Sequence, residues 1–120
     1  MDIIVIPGRF PSLNQHDYEN RRNRFKGASM KKEATDMAYW ICKRYKVKEP
    51  YSHVDTISFT WYRKDKSTDK DNISFAKKYI LDGMVKAGIL KDDGWDNIGD
   101  FKDTFLIDGE ERVEIELKNG

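Results

Sequence analysis

With 120 residues, 38% of them hydrophobic and 36% charged, the chain has room for one compact domain (1–120) with a modest core and a heavily solvated surface. No run approaches the ~18 apolar residues of a membrane span, and the opening Met-Asp-Ile-Ile-Val-Ile-Pro lacks the basic region and apolar stretch of a secretion signal. The net charge of +1 hides a division, with eleven Lys/Arg against five Asp/Glu in residues 1–48 and eleven against sixteen in residues 49–120. That split suits a protein that grips a polyanion with one half and offers carboxylates to a divalent ion with the other.

Residues 2–6 form a β-branched run stopped by Pro7-Gly8, which predicts a first strand. Residues 8–27 show no sustained period and carry Arg9, Arg21, Arg22, Arg24 and Lys26, with Phe10, Tyr18 and Phe25 between them. They read as a long basic loop whose cations contact phosphates and whose aromatics stack on exposed bases. Residues 28–48 predict a helix opened by Ser29 as N-cap and ended by Pro50. Met30, Ala34, Met37, Ala38, Ile41, Cys42 and Tyr45 recur at three- and four-residue steps on its apolar face. Cys42 therefore reads as a core residue, and a single cysteine fits a reducing, cytoplasmic location.

Residues 53–63 alternate at period two through Val54, Ile57, Phe59 and Trp61 and predict a strand. After a polar connector, Asp71-Asn72 caps a helix that runs to about Ala87 and is closed by Gly88. Residues 91–99 form an acidic turn, and Trp95 either packs beneath it, the preferred reading, or stacks on DNA. Two strands, 102–107 and 112–117, follow and are joined by the turn Asp108-Gly109-Glu110. The order β-α-β-α-β-β is an α+β layout with a mixed sheet and two helices.

The chemistry concentrates in Thr68-Asp69-Lys70-Asp71-Asn72 and, beyond the second helix, Lys91-Asp92-Asp93-Gly94-Trp95. Asp69 and Asp71, at i and i+2 on an extended backbone, point the same way. A helix that doubles back across the sheet returns Asp93 to them. Three oxygen donors without His or Cys favour a hard ion such as Mg²⁺ or Mn²⁺. On a regular helix Asp71, Lys78 and Asp82 share a face, so Lys78 would present its ammonium to a phosphate; its competitor Lys77 points ~100° away. Asp92 is an alternative to Asp93, and Asp82 caps or buttresses. His16 and His53 are isolated and read as surface or structural, and no covalent nucleophile is arranged with a base.

Asp69-Lys70-Asp71-Asn72, Lys78, Leu81-Asp82-Gly83-Met84-Val85-Lys86-Ala87-Gly88-Ile89 and Asp92-Asp93, together with the early Pro11-Ser12-Leu13-Asn14, resemble the RusA family of Holliday-junction resolvases, especially its phage-borne members. The resemblance spans nearly the whole chain. It implies a RusA-like fold and a homodimer that binds four-way DNA junctions and resolves them by paired Mg²⁺-dependent nicking. It also implies metal-coordinating roles for Asp69, Asp71 and Asp93 and a catalytic role for Lys78. Asn14, Arg21, Arg22, Arg24, Lys26, Lys70 and Lys77 make up the expected DNA contacts; no membrane and no small-molecule cofactor are expected. The chain departs from the family's spacing at one place: position 75 is Phe75 where the lysine would fall, so Ile73–Phe75 reads as part of an insertion of about three residues, close to one helical turn.

Overall fold

The structure, a computed structural model, describes residues 3–11, 18, 21, 24–45 and 47–120, with the backbone alone at 24 and 25. Among these, the elements in chain order are β1 (Ile4–Pro7), α1 (Arg24–Cys42), β2 (Val54–Arg63), α2 (Lys70–Ser74), α3 (Lys77–Lys86), β3 (Ile98–Ile107) and β4 (Arg112–Lys118). The expected α+β architecture is the observed one: a single domain built on a mixed four-stranded sheet of order β1-β4-β2-β3.

β2 lies inside the sheet because its alternation is the strongest in the chain. Ile57 and Phe59 are fully buried and Trp61 nearly so, while Thr56, Ser58 and Thr60 remain half exposed on the opposite face. Burying a side chain such as Phe59 contributes about 1.5–3 kcal/mol. β4 runs antiparallel to β2, with Ile115 beside Phe59 and Val113 beside Trp61, and β1 adds Ile4 and Ile6 at the far edge. β3 runs parallel to β2 at the other edge. The turn after β3 therefore does not close the hairpin expected from Asp108-Gly109-Glu110. The chain passes around the end of β2, where Asp108 N–H donates to the Arg63 carbonyl (2.9 Å), and β4 enters on β2's other side. The apolar alternation of Val113 and Ile115 is satisfied only at that more interior position. β3 also starts at Ile98 rather than 102, since buried Ile98 pairs with Val54 and fixes the register.

α1 carries the predicted face: Ala34, Ala38 and Cys42 are buried, with Met37, Ile41 and Tyr45 packed at the margin. Its limits differ from those expected. It begins at Arg24, and Tyr18 and Arg21 are helical too, so part of the predicted basic loop is helix and Ser29 lies inside α1 rather than capping it. It ends at Cys42, because continuing the apolar stripe would place Lys46 and Glu49 on the core side. Instead the chain tightens, with Arg44 N–H to Ile41 O and Tyr45 N–H to Cys42 O, and the Tyr45 hydroxyl accepts Val5 N–H at 3.1 Å. Burial pushes the Cys42 thiol up to about 12, in keeping with a core residue. No helix of the described residues is long and apolar enough to cross a membrane.

The second predicted helix is broken into α2 and α3 at Phe75–Ala76. Ala76 N–H donates to Ile73 O and Lys78 N–H to Phe75 O, both i to i−3 bonds. These bonds mark one tightened turn of about three residues per revolution between the two helices. Gly88 closes α3 as expected: at φ +80° it lets Ile89 N–H reach back to Met84 O (2.9 Å) while Gly88 N–H bonds Val85 O. Gly83 marks the crossing of α3 over α1. A Cβ there would lie 2.6 Å from Ala38 Cβ and 2.8 Å from Tyr39 N, so only glycine permits this approach.

Candidate active site around Lys78

Lys78, in the first turn of α3, directs its ammonium to Asp82 Oδ1 (3.2 Å) and Asp93 Oδ2 (3.6 Å). The Asp82 contact is an i,i+4 pair dictated by helix geometry. The Asp93 contact is long-range, and it exists because α3, closed by Gly88, returns the chain toward the start of β3. Lys78 is 57% exposed whereas Asp82 and Asp93 are 28% and 23% exposed, so the carboxylates are recessed and the cation faces outward. Asp82, followed by Asp93, raises the lysine's pKa and keeps it charged.

The turn that presents Asp93 is held from three directions. Asp93 N–H donates to the Asp92 carboxylate at 2.8 Å. Asn97 bonds Gly94 through both its side chain and backbone, and its amide donates to Ser52 O at 2.9 Å. His53 spans Asp96 O (2.7 Å, from Nδ1) and Asp55 Oδ1 (2.9 Å, from Nε2), which agrees with its structural reading. Asp92 thus orients the turn, while Asp93 faces Lys78. Asn97 went unremarked in the sequence because a single asparagine in an acidic turn carries no pattern.

Asp69 and Asp71 lie elsewhere along the same helical track. Asp69 is the extended N-cap residue of α2, without a side-chain cap bond, and Asp71 occupies its first turn, where a negative charge suits the helix dipole. Asn72, expected as a cap, is instead buried in α2. Asp69 and Asp71 line a groove of about 740 Å³ with Trp61, Arg63, Phe105 and Leu106. Asp93 lines a different one, of about 590 Å³, with His53, Trp95 and Phe101. α2 and α3 descend β3 from its end toward its start: the Lys70 ammonium lies 5.8 Å from the centre of the Phe105 ring, and that of Lys77 lies 4.6 Å from Phe101. Four strand residues separate those rings, roughly 13 Å at the usual rise.

Among the described residues no three His, Cys, Asp or Glu side chains are gathered as a metal site. The donor chemistry of Asp69 and Asp71 suits a hard divalent ion, but Asp93 is engaged by Lys78 and does not join them in this arrangement. The expected three-carboxylate centre is therefore not assembled, and no chemical step is derived through it.

The loop before Asp69 is anchored by Glu111 and Arg63, which the sequence did not single out, together with Arg9, one of the cations expected at phosphates. Glu111 Oε2 accepts from Arg9 Nη2 (2.8 Å), Arg63 Nε (3.2 Å) and Lys64 N–H (3.3 Å), and Arg63 Nη2 reaches Thr68 Oγ1 (3.3 Å). Arg9 beside it, above all, holds the Glu111 carboxyl down at about 2. These contacts join residues up to 102 positions apart, a separation no local motif reveals.

Of the expected DNA contacts, Asn14 and Arg22 lie outside the described residues, as does the side chain of Arg24. His16 lies outside them too. Arg21, Lys26 and Lys70 are exposed. Lys77 is not offered to solvent: at 19% exposure its ammonium sits 2.7 Å from Asp103 Oδ2 and over the rings of Phe101 and Phe59. It leaves the phosphate-contact set, and of the two adjacent lysines Lys78 is the outward one. Trp95, expected to pack under the turn, is 95% exposed, because the side chains beneath that turn, Ile98 and Asn97, already fill the space against β2.

The chain matches no family model and no curated protein. The likeness to RusA resolvases accordingly stands on the residue series alone.

Proposed function

We propose that the chain is a structure-specific endodeoxyribonuclease that resolves four-way DNA junctions by paired nicking, with Mg²⁺ as its cofactor and Mn²⁺ as a substitute. The observation that carries this reading is the meeting of Lys78 with Asp82 and Asp93. Three members of the Asp-x-Asp-Asn…Lys…Leu-Asp-Gly…Asp-Asp series, spread over 16 positions, converge on one recessed acidic site with an outward ammonium. In this reading Lys78 meets a non-bridging oxygen of the scissile phosphate, and its charge stabilises the negative charge that builds there. Asp82 holds the lysine in line. Asp69 and Asp71, exposed on the neighbouring groove, are the carboxylates open to a divalent ion, which supplies an activated water when bound. Lys70, Arg21 and Lys26 contact the DNA backbone and set the register. Two symmetric cuts need two sites related by a twofold axis, hence a homodimer.

A synthetic four-way junction incubated with purified protein and Mg²⁺ tests the reading. Wild type should nick strands of like polarity at symmetric positions, and Asp71→Asn should lose that activity. Equal cleavage by the two proteins contradicts it. A second reading, a branched-DNA-binding protein that does not cut, is favoured by the separation of Asp93 from Asp69 and Asp71. It predicts tight junction binding without nicking in either metal. Comparable cleavage of flaps and forks would broaden the substrate class beyond junctions.

A further inference from the structure

Lys77 and Lys78 are adjacent on one helical turn, yet they face opposite surroundings. Lys78 is 57% exposed over the Asp82–Asp93 site. The Lys77 side chain turns toward the sheet, where Asp103 Oδ2 lies 2.7 Å from its ammonium and the rings of Phe101 and Phe59 lie at 4.6 and 5.4 Å. Asp103 is itself fixed, since its other oxygen accepts the Trp61 indole N–H at 2.9 Å. Trp61 is 4% exposed and stacked on Phe59, with ring centres 5.5 Å apart, so this indole is part of the rigid core.

We propose that Asp103, held by Trp61, is the positioning residue for Lys78, and that it acts by pinning Lys77 and so fixing the rotation of the first turn of α3. Consecutive helical residues project about 100° apart, so a fixed direction for Lys77 sets the direction of Lys78. The pin is needed at this point in the chain because α3 begins afresh after the break at Phe75–Ala76, with no side-chain cap to orient it. The first bonds beyond the break, Lys78 N–H to Phe75 O (3.3 Å) and Ile80 N–H to Ala76 O (3.2 Å), are long. Asp103 lies on β3, 26 positions from Lys77, and ties the exposed side of the helix start to the sheet, opposite the buried Ala76, Tyr79 and Ile80. The catalytic part of this inference rests on the nuclease reading; the pinning itself does not.

Two measurements on Asp103→Asn test it, since Asn retains an acceptor for Trp61 and removes the charge that holds Lys77. The first is native-state hydrogen exchange, which is independent of activity. Amides 78–80 should exchange about tenfold faster in Asp103→Asn and in Lys77→Met, while the β2–β4 ladder is unchanged. Unaltered exchange at those amides overturns the pinning. The second is a double-mutant cycle on a four-way junction. Asp103→Asn should lower kcat about tenfold, with KM within about twofold, because small displacements of a reacting group are costly. In a Lys78→Met background it should cost nothing further. Losses that multiply in the double variant contradict action through Lys78. If wild type does not nick the junction, the nuclease reading fails, and the exchange result decides the positioning role alone.

Discussion

At the residue scale the proposed function turns on Lys78, whose exposed ion pairs are not what holds the fold together. Pairs of this exposure contribute about 0–1 kcal/mol. Lys78→Met should therefore leave the melting transition nearly unchanged yet lower kcat on a junction about a hundredfold, the usual effect of removing one charge-stabilising donor. Steady-state kinetics and thermal denaturation on the same preparation check this; a loss of activity matched by a loss of fold would contradict it. His53 gives a pH signature at the same turn. The Asp96 carbonyl first, and the Asp55 carboxylate next, raise its pKa above 6.5. A raised folded value means that the stability these contacts contribute is fully present below the unfolded pKa and is lost as pH rises through the folded one. NMR titration should place the ring's midpoint above 6.5. Asp55→Asn should lower it without restoring the ordinary value, because the Asp96 bond remains. A wild-type midpoint at or below 6.5 would contradict the assignment. The residue types of the candidate site were legible in the sequence. The face shared by Lys78 and Asp82 was legible too; that Lys77 is held by Asp103 was not, because Asp103's place among several acidic neighbours gave no local cue.

At the element scale, the two glycines flanking the end of α3 act for different reasons. Gly88 is required by backbone conformation and was readable from its position after an apolar periodic segment. Gly83 is required by the neighbouring helix, which no sequence pattern on α3 alone discloses. Gly83→Ala should destabilise the fold by about 1–3 kcal/mol through overpacking against Ala38 and Tyr39, despite alanine's better helix propensity. Denaturant unfolding measures this, and a stabilised variant would show that the helices separate at no cost. The break between α2 and α3 was hidden for a related reason. An apolar pattern counted at 3.6 residues per turn does not register a single tightened turn. Similarly, the sequence marked β3 and β4 as consecutive strands joined by a turn but did not show that β2 would lie between them. That choice is made by burial of Val113 and Ile115 against the central strands.

At the scale of the whole molecule, the division between a basic first half and an acidic second half is the feature on which the proposed DNA partner rests. α1 and the segment before it carry the cations, while the β2–β3 crossover carries the carboxylates. DNA affinity should fall steeply with salt, with a log–log slope of about −0.9 for each phosphate contacted. Titrations at several ionic strengths, repeated with Arg21, Arg22 and Arg24 all changed to alanine, should show a shallower slope for the variant. An identical slope would remove that segment from the interface. The separation of Asp93 from Asp69 and Asp71 is also a property of the whole fold, set by how α2 and α3 descend along β3, and sequence spacing alone left it open.

The most direct test is anomalous diffraction from a crystal of the protein soaked in Mn²⁺ together with junction DNA. The account predicts an ion peak with carboxylate oxygens of Asp69 and Asp71 at about 2.1 Å and with Lys78 turned to the phosphate. No ion at Asp69 and Asp71, with Lys78 turned away from the phosphate, would contradict it.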